Sequence, residues 1–425
     1  MADNISKRIT LSVIMITLAG QLAWGVENQF FNVFMYNIIA PIPMFISIMV
    51  AASAITATIT SIVMGTLSDI KGKRKSFMTV GFVFWTITTA IFPLSGLLAP
   101  FDVILAVILA IVFDCVMTFF GSTAYDANFN AYVTDITTHK NRGRLLSIVQ
   151  IMSLLSILVS YAISGFIIEE LGYYAYFFII AFFVGIIGIS GTLLTRDSPA
   201  LKPLETNFYR HLKSTFKIIN VKKNKDFFLV LSGAALWGLA FNIFFPFVMI
   251  YLQHYLQLDI IISSILLLIL FIVAMIFAYP MGILIDKIGR KKLAIISVVS
   301  ECIFLLLFAL MNELIFIIIT GTLWVSFVTT FTISSNTWIK DLYPKNKYGQ
   351  FSGYFILFTV FFPMIPGPLI GGWLSQQFGI QAIIDGQPGY IPTPIIFIVS
   401  AFMILLTIIP LLFAKESKIE NKKVI

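Results

Sequence analysis

Four carboxylic acids, Glu27, Asp114, Asp126 and Glu301, interrupt long apolar stretches of this chain. A carboxylate near the middle of a bilayer is disfavoured by about 2.5–3.5 kcal/mol on insertion scales, so each such acid requires a partner, a proton or a wet cavity. No Lys or Arg falls in the core of those stretches to neutralise them. Protonation is the least demanding answer, and a carboxyl that is neutral when enclosed and ionised when wet is a proton-coupling device. Amides accompany the acids. In helical projection Gln21, Asn28 and Asn32 share a narrow arc with Trp24 close by, and Glu27 lies about 120° away. Amides beside an aromatic face suit a hydroxyl-rich ligand such as a sugar, and the same side chains equally suit hydrogen bonding between helices. Asp114, Thr118, Gly121, Tyr125 and Asn128 recur at helical spacing as a second polar stripe, with Asp126 about 120° from it. For Asp114 two readings stay open, a cavity-lining acid or a carboxyl bonded to a neighbouring helix. Tyr161, Gln150, Trp237, Asn242 and Trp324 are further candidates.

The elements that must hold these residues are membrane helices. The 425 residues are 59% hydrophobic and 11% charged, with a mean hydropathy of +0.97. That composition cannot coat a soluble globule, and it specifies an all-α polytopic membrane protein. A net charge of +8 therefore reads as loop charge and contact with anionic lipid, with no nucleic acid implied. Cys115 and Cys302 both sit in apolar runs and indicate no disulfide framework. His139, His211 and His254 are too scattered for a metal site, and no phosphate-binding GxxxxGK[ST] loop occurs, so neither metal catalysis nor nucleotide hydrolysis is supported; an enzyme is not expected.

At roughly 20 apolar residues per crossing, twelve spans are expected near 10–34, 42–68, 76–97, 102–127, 145–168, 173–195, 227–253, 259–283, 293–311, 314–337, 350–375 and 391–414. All 28 Lys and Arg then fall on one side, and Asp102, Glu169, Glu170, Asp259, Glu313 and Asp385 on the other. Basic residues resist translocation, which makes the basic side cytoplasmic, puts both termini inside and points to the cell membrane. The first apolar run has no cleavage pattern and reads as a span, not a signal peptide. A polar stretch with an amphipathic run, Phe208, Leu212, Phe216 and Ile219, divides the chain into a six-helix bundle (1–195), a cytoplasmic linker (196–226) and a second six-helix bundle (227–425).

The halves repeat each other. Gly65-Thr-Leu-Ser-Asp69-Ile-Lys-Gly72-Lys73-Arg74-Lys75 follows span two, and Gly282-Ile-Leu-Ile-Asp286-Lys-Ile-Gly289-Arg290-Lys-Lys292 follows span eight. Trp24-Gly25 matches Trp237-Gly238, and Asn130, Asp135 and Gly143 match Asn336, Asp341 and Gly349. Two six-helix repeats in the same order point to a secondary transporter.

On these residues the chain resembles the major facilitator superfamily along essentially its whole length. The resemblance implies two pseudo-symmetric six-helix bundles that rock about a central site and expose it alternately to each side. It also implies a gate at the signature loops, with Gly65 and Gly72 permitting tight turns and Lys73 to Lys75 directed at acids on neighbouring helices; Gly282, Asp286, Gly289 and Arg290 are the second copy. A narrower stretch, Tyr125-Asp126-Ala-Asn128-Phe-Asn130 leading to Arg142-Gly143-Arg144, is similar to glycoside-pentoside-hexuronide and sucrose-type carriers. There, an Asp matched by Asp126 takes part in sugar and cation binding. The acidic pair those carriers have on span two is absent, since residues 45–64 offer only Ser and Thr hydroxyls. Asp126 stands between two roles, a ligand for substrate or a partner for Lys73 or Arg74. Glu301, on span nine, is expected in a structural or lipid-interface role.

The expected function is a carrier, working as a monomer, of a small hydrophilic solute of the sugar or glycoside kind, driven by protons or another cation such as sodium. Its alternative is an exporter of amphiphilic compounds or lipids, favoured by the 42 Phe. No cofactor beyond the coupling ion is expected.

Overall fold

The computed structural model describes residues 6–137, 141–198, 201, 203, 208, 224–343, 351, 354–384 and 386–416. Among them eleven helices are long and apolar enough to cross a membrane. They are α1 (Lys7–Ile39), α2 (Pro43–Lys71), α3 (Lys75–Leu98), α4 (Val103–Asp135), α5 (Arg144–Leu194), α6 (Lys225–Tyr255), α7 (Ile260–Ile285), α8 (Arg290–Leu310), α9 (Leu314–Asp341), α10 (Tyr354–Gln377) and α11 (Ile395–Phe413). Helix α5 has 51 residues, more than twice what one crossing requires, and its backbone leaves helical geometry at Gly172, where φ is 80°. It is two spans in series, which brings the crossings to the expected twelve. The amphipathic run of the linker lies outside the described residues apart from Phe208.

Two compact units form. The first comprises Met1–Ser214 with Phe245–Leu268 and Pro368–Thr393, and the second Thr215–Phe244, Ile269–Gly367 and Pro394–Ile425. In the first unit α1 and α3 pack on α5, and α4 packs on α2 and α3. In the second, α8 packs on α9 and α11, and the first part of α6 on α11. Helix contacts inside lipid rest on close packing and small residues, since apolar burial supplies little drive there. Gly81 shows this on α3: a Cβ at this position would meet Ala124 Cβ at 2.7 Å and the Phe120 carbonyl oxygen at 3.0 Å. Gly81→Leu is therefore expected to destabilise the first unit by about 1–3 kcal/mol through overpacking, read as a lower thermal unfolding temperature in detergent.

One element was not expected from the sequence. Strands β1 (Ile380–Ile384) and β2 (Gln387–Ile391) form an antiparallel hairpin between α10 and α11, turning at Gly386 with φ 81°. The Asp385-Gly386 pair is a turn signal for such hairpins. The hairpin is held to the α1–α2 connection by the Tyr390 amide, which donates to the Pro41 carbonyl at 3.0 Å, and by the Tyr36 hydroxyl, which donates to the Tyr390 carbonyl at 2.7 Å.

Several helices carry π turns, at Glu27–Phe31 and Met35–Ile39 on α1, Ser122–Phe129 on α4, Tyr251–Tyr255 on α6 and Leu357–Phe361 on α10. Each extra residue in a turn rotates the face that follows by about 100°. Residues that share an arc in an ideal projection are thereby separated.

Candidate functional site

Glu27 is the centre of a polar cluster inside the first unit. It sits where α1 enters its first π turn and is 8% exposed. Its Oε1 accepts hydrogen bonds from the Ser53 hydroxyl of α2 at 2.7 Å and the Thr118 hydroxyl of α4 at 2.9 Å, and the two hydroxyls are 2.9 Å apart. Asp114, one turn before Thr118 and 2% exposed, lies within hydrogen-bonding reach of Glu27. Glu27 Oε2 and Asp114 Oδ1 have no donor among the described residues. Two acids packed together in a low-dielectric interior attract only when a proton or another cation lies between them. Asp126, whose Oδ2 accepts from the Ser122 hydroxyl at 2.8 Å, is close enough to add its negative field at Glu27. The cluster therefore draws three helices together around acids whose protonation changes what can pack there.

The amide stripe of α1 is rearranged by the same π turn. Asn28 Nδ2 donates to the Trp24 carbonyl at 2.7 Å and Asn32 Nδ2 to the Asn28 carbonyl at 2.9 Å, so both amides bond back to their own helix. Asn32 is buried, whereas Gln21, Trp24 and Asn28 keep partial exposure. Trp24 packs on Trp85 with ring centroids 4.9 Å apart, and Gln21 reaches Tyr125, which is buried over Gly20. On α4, Gly121 abuts Trp24 and Trp85, and Asn128 turns into the π segment to donate to the Thr123 carbonyl at 2.7 Å. The single stripe read along α4 is thus split: Asp114 and Thr118 meet Glu27, while Tyr125 and Asn128 pack elsewhere. Asn130 is exposed and donates to the Asp126 carbonyl at 3.2 Å. Tyr161 is buried beside Phe30, with ring centroids 6.3 Å apart, and Gln150 is exposed.

In the second unit the Trp237 indole N–H donates to Glu301 Oε2 at 2.8 Å. Glu301 is fully enclosed because α8 is packed by α9 and α11, so it does not reach the lipid interface that its span suggested. Trp237 stacks on Phe241 and packs against Phe331. Asn242 bonds to the Gly238 carbonyl at 2.8 Å, and Trp324 is buried between Phe244 and Phe308.

The signature loop forms a clasp. Arg74, 5% exposed, contacts Asp69 and Ser68 of α2 and donates from Nε to Asp135 Oδ2 at the end of α4 at 3.0 Å. The backbone amides of Arg74 and Lys75 both donate to Asp197 Oδ1 at 2.9 Å, and Lys75 Nζ donates to the Leu193 carbonyl at 2.9 Å. The second copy repeats this closely. Arg290 Nε donates to Asp341 Oδ2 at 3.0 Å, its backbone amide donates to Glu416, and Lys291 Nζ donates to the Leu412 carbonyl at 2.7 Å. Asp197 and Glu416, which cap the following helices, were not singled out in the sequence. They follow Arg74 and Arg290 by 123 and 126 residues, and that near-equal spacing is the signal that finds them. Only part of the glycine reading holds. Gly72 ends α2 in a left-handed conformation, φ 60°, and Gly289 has φ 97°, but Gly65 and Gly282 lie inside helices and make no turn. Among the described residues the acids that pair with Arg74 are Asp69 and Asp135, whereas Asp126, the acid expected as a partner for Lys73 or Arg74, accepts from Ser122; Lys73 is exposed. The side chain of Asp286 is outside the described ones.

At the end of the first unit remote from the clasp, Asn37 Nδ2 donates to the Tyr173 hydroxyl at 2.9 Å and to Gln253 Oε1 at 3.2 Å, and His254 Nε2 is 2.8 Å from Asn37 Oδ1. Together with the hairpin contacts to Tyr36 and Pro41, these bonds tie segments from both sequence halves into the unit.

Twelve crossings, duplicated clasps and enclosed acids on facing helices define a polytopic membrane transporter. The family model of the Major Facilitator Superfamily matches residues 9–278 and 256–424, and the chain belongs to that superfamily. A comparison with curated proteins finds no match. Among solved structures, the nucleoside transporter NupG, in a point-mutant form, is similar at 14% identity and a TM-score of 0.74, covering 95% of this chain and 99% of that one. A D-xylose–proton symporter is similar at 14% identity and TM-score 0.70, covering 97% of each chain. The xylose transporter XylE from E. coli, in a partially occluded inward-open conformation, has 14% identity and TM-score 0.69, with 97% and 99% covered. At these identities the likeness establishes the fold.

Proposed function

We propose that this transporter carries a small hydrophilic solute, of the sugar or nucleoside kind, by alternating access and couples it to protons through Glu27 and Asp114. The observation that carries the reading is the Glu27 cluster. Its two acids sit on different helices within reach of each other, Glu27 Oε1 accepts from the Ser53 and Thr118 hydroxyls, and each acid has an oxygen without a donor among the described residues. A proton between them favours the packed arrangement, and its loss replaces attraction with repulsion between α1 and α4. The solute class is supported by partly exposed amides on helices that also carry an indole, Gln21 and Asn28 with Trp24 on α1 and Asn242 with Trp237 on α6, since the amide hydrogen-bonding groups not used within the helix and the flat indole faces suit a hydroxyl-rich ligand. The nucleoside and D-xylose specificities of structurally similar transporters are consistent with it.

The test is a thermal-shift panel of pentoses, hexoses, glycosides and nucleosides on the purified chain, followed by uptake of the hits into proteoliposomes with an imposed pH or sodium gradient. A stabilising member of the panel that accumulates with the pH gradient supports the reading. Response only to apolar amphiphiles, or accumulation with sodium alone, overturns it.

A further inference from the structure

A groove of about 340 Å³ opens on the surface of the first unit between α2, α3 and α4, at the end where the signature loop lies. Its walls are Met64, Phe77, Val80, Phe119 and Phe120, and its rim carries Lys71, Lys73 and Ser76. The apolar walls continue into the exposed hydrophobic face of these helices, where Val80, Phe84, Val112 and Val116 are all more than a third exposed, as lipid-facing residues are. Both rim lysines are exposed, and among the described residues neither ammonium is in a salt bridge with a carboxylate. Lys71 lies over the Phe77 ring, 5.6 Å from its centroid, which directs its charge to the groove mouth. This is a different use of the loop from the clasp: Arg74 points inward to Asp69 and Asp135, while Lys71 and Lys73 before it are exposed.

We propose that the groove is a binding site for an anionic glycerophospholipid of the leaflet that faces the basic loops. Lys71 and Lys73, with the Ser76 hydroxyl, hold the phosphate, and an acyl chain lies against Phe77, Val80, Phe119 and Phe120. The charge arrangement selects this occupant. A zwitterionic lipid places its own ammonium against the lysines, whereas an anionic headgroup gains about one favourable interaction per basic residue near the surface. A free phosphate uses the rim and leaves the apolar walls bare. A lipid seated here touches both sides of the loop that carries Arg74 and bridges α2, α3 and α4, the helices that bear Ser53, Gly81 and Thr118.

The site is tested on the full chain in detergent by native mass spectrometry with added phosphatidylglycerol or phosphatidylcholine. Wild type is expected to retain one phosphatidylglycerol in preference to phosphatidylcholine, and excess inorganic phosphate is expected not to displace it. The double variant Lys71→Gln/Lys73→Gln is expected to lower retention by about thirtyfold, from two lost surface charges. Val80→Trp, which occupies the groove and keeps both lysines, is expected to lower it as well. Equal retention of the two lipids, unchanged retention in both variants, or displacement by phosphate alone overturns the proposal. The measurement requires no transport and stands apart from the coupling assigned to Glu27.

Discussion

Glu27→Gln is expected to abolish proton-driven accumulation while leaving exchange of solute across the membrane intact. Glutamine matches the shape of the protonated acid. Its carbonyl oxygen still accepts from Ser53 and Thr118, and its amide supplies a permanent donor toward Asp114, so the packed arrangement forms whatever the pH. A carrier that no longer couples can only equilibrate its solute, so the accumulation ratio should fall to near unity. Asp114→Asn should act in the same direction. The double variant should lose little more than either single one, because the two acids work as one unit. Ser53→Ala removes one neutral donor and is expected to weaken coupling far less, since such a bond is worth about 1 kcal/mol. Parallel uphill uptake and equilibrium exchange in proteoliposomes separate these outcomes; a Glu27→Gln protein that still concentrates its solute contradicts the assignment.

Arg74→Ala should produce the largest loss of stability among single changes at the loops. It removes the guanidinium that contacts Asp69, Asp135 and Ser68 together. Removing one partner of a fully buried ion pair destabilises by about 3–5 kcal/mol. Here the carboxylate side chains are 33% and 24% exposed, so solvent relieves part of the penalty and about 2 kcal/mol is expected. Arg290→Ala should be milder, because its pair is more exposed, at 13% and 37%. Arg74→Lys should restore only part of the loss, since an ammonium cannot reproduce the divergent donors of a guanidinium. Thermal unfolding of the three variants in one detergent checks the ranking, and an Arg290→Ala protein less stable than Arg74→Ala reverses it.

The crossings and the duplicated clasp were legible in the sequence because both depend on local or repeated patterns. Apolar length counted twelve spans, and Gly172 only obscures the count by joining two of them into one helix. Arg74 and Arg290 stood out through the repeat, and their acids Asp135 and Asp341 recur with it. What an ideal helix projection could not supply was the facing of residues beyond a π turn. Asn28 and Asn32 belong on one arc with Gln21 only if α1 is regular, and the turn at Glu27–Phe31 breaks that arc. Likewise Tyr125 and Asn128 part company with Asp114 inside Ser122–Phe129. The meeting of Glu27 with Ser53, Asp114 and Thr118 is a tertiary event among three helices, and no spacing along the chain encodes it. The enclosure of Glu301 has the same origin: its surroundings are set by α9 and α11, not by its own span.

The central claim is that a proton moves with the solute through the Glu27–Asp114 pair, and a pH electrode tests it most directly. Proteoliposomes in weak buffer, with no imposed gradient, receive a solute identified in the thermal-shift panel. External alkalinisation that follows solute entry in a fixed ratio, and is absent in Glu27→Gln, is the predicted result. Solute entry at the same rate with no change in external pH contradicts the account.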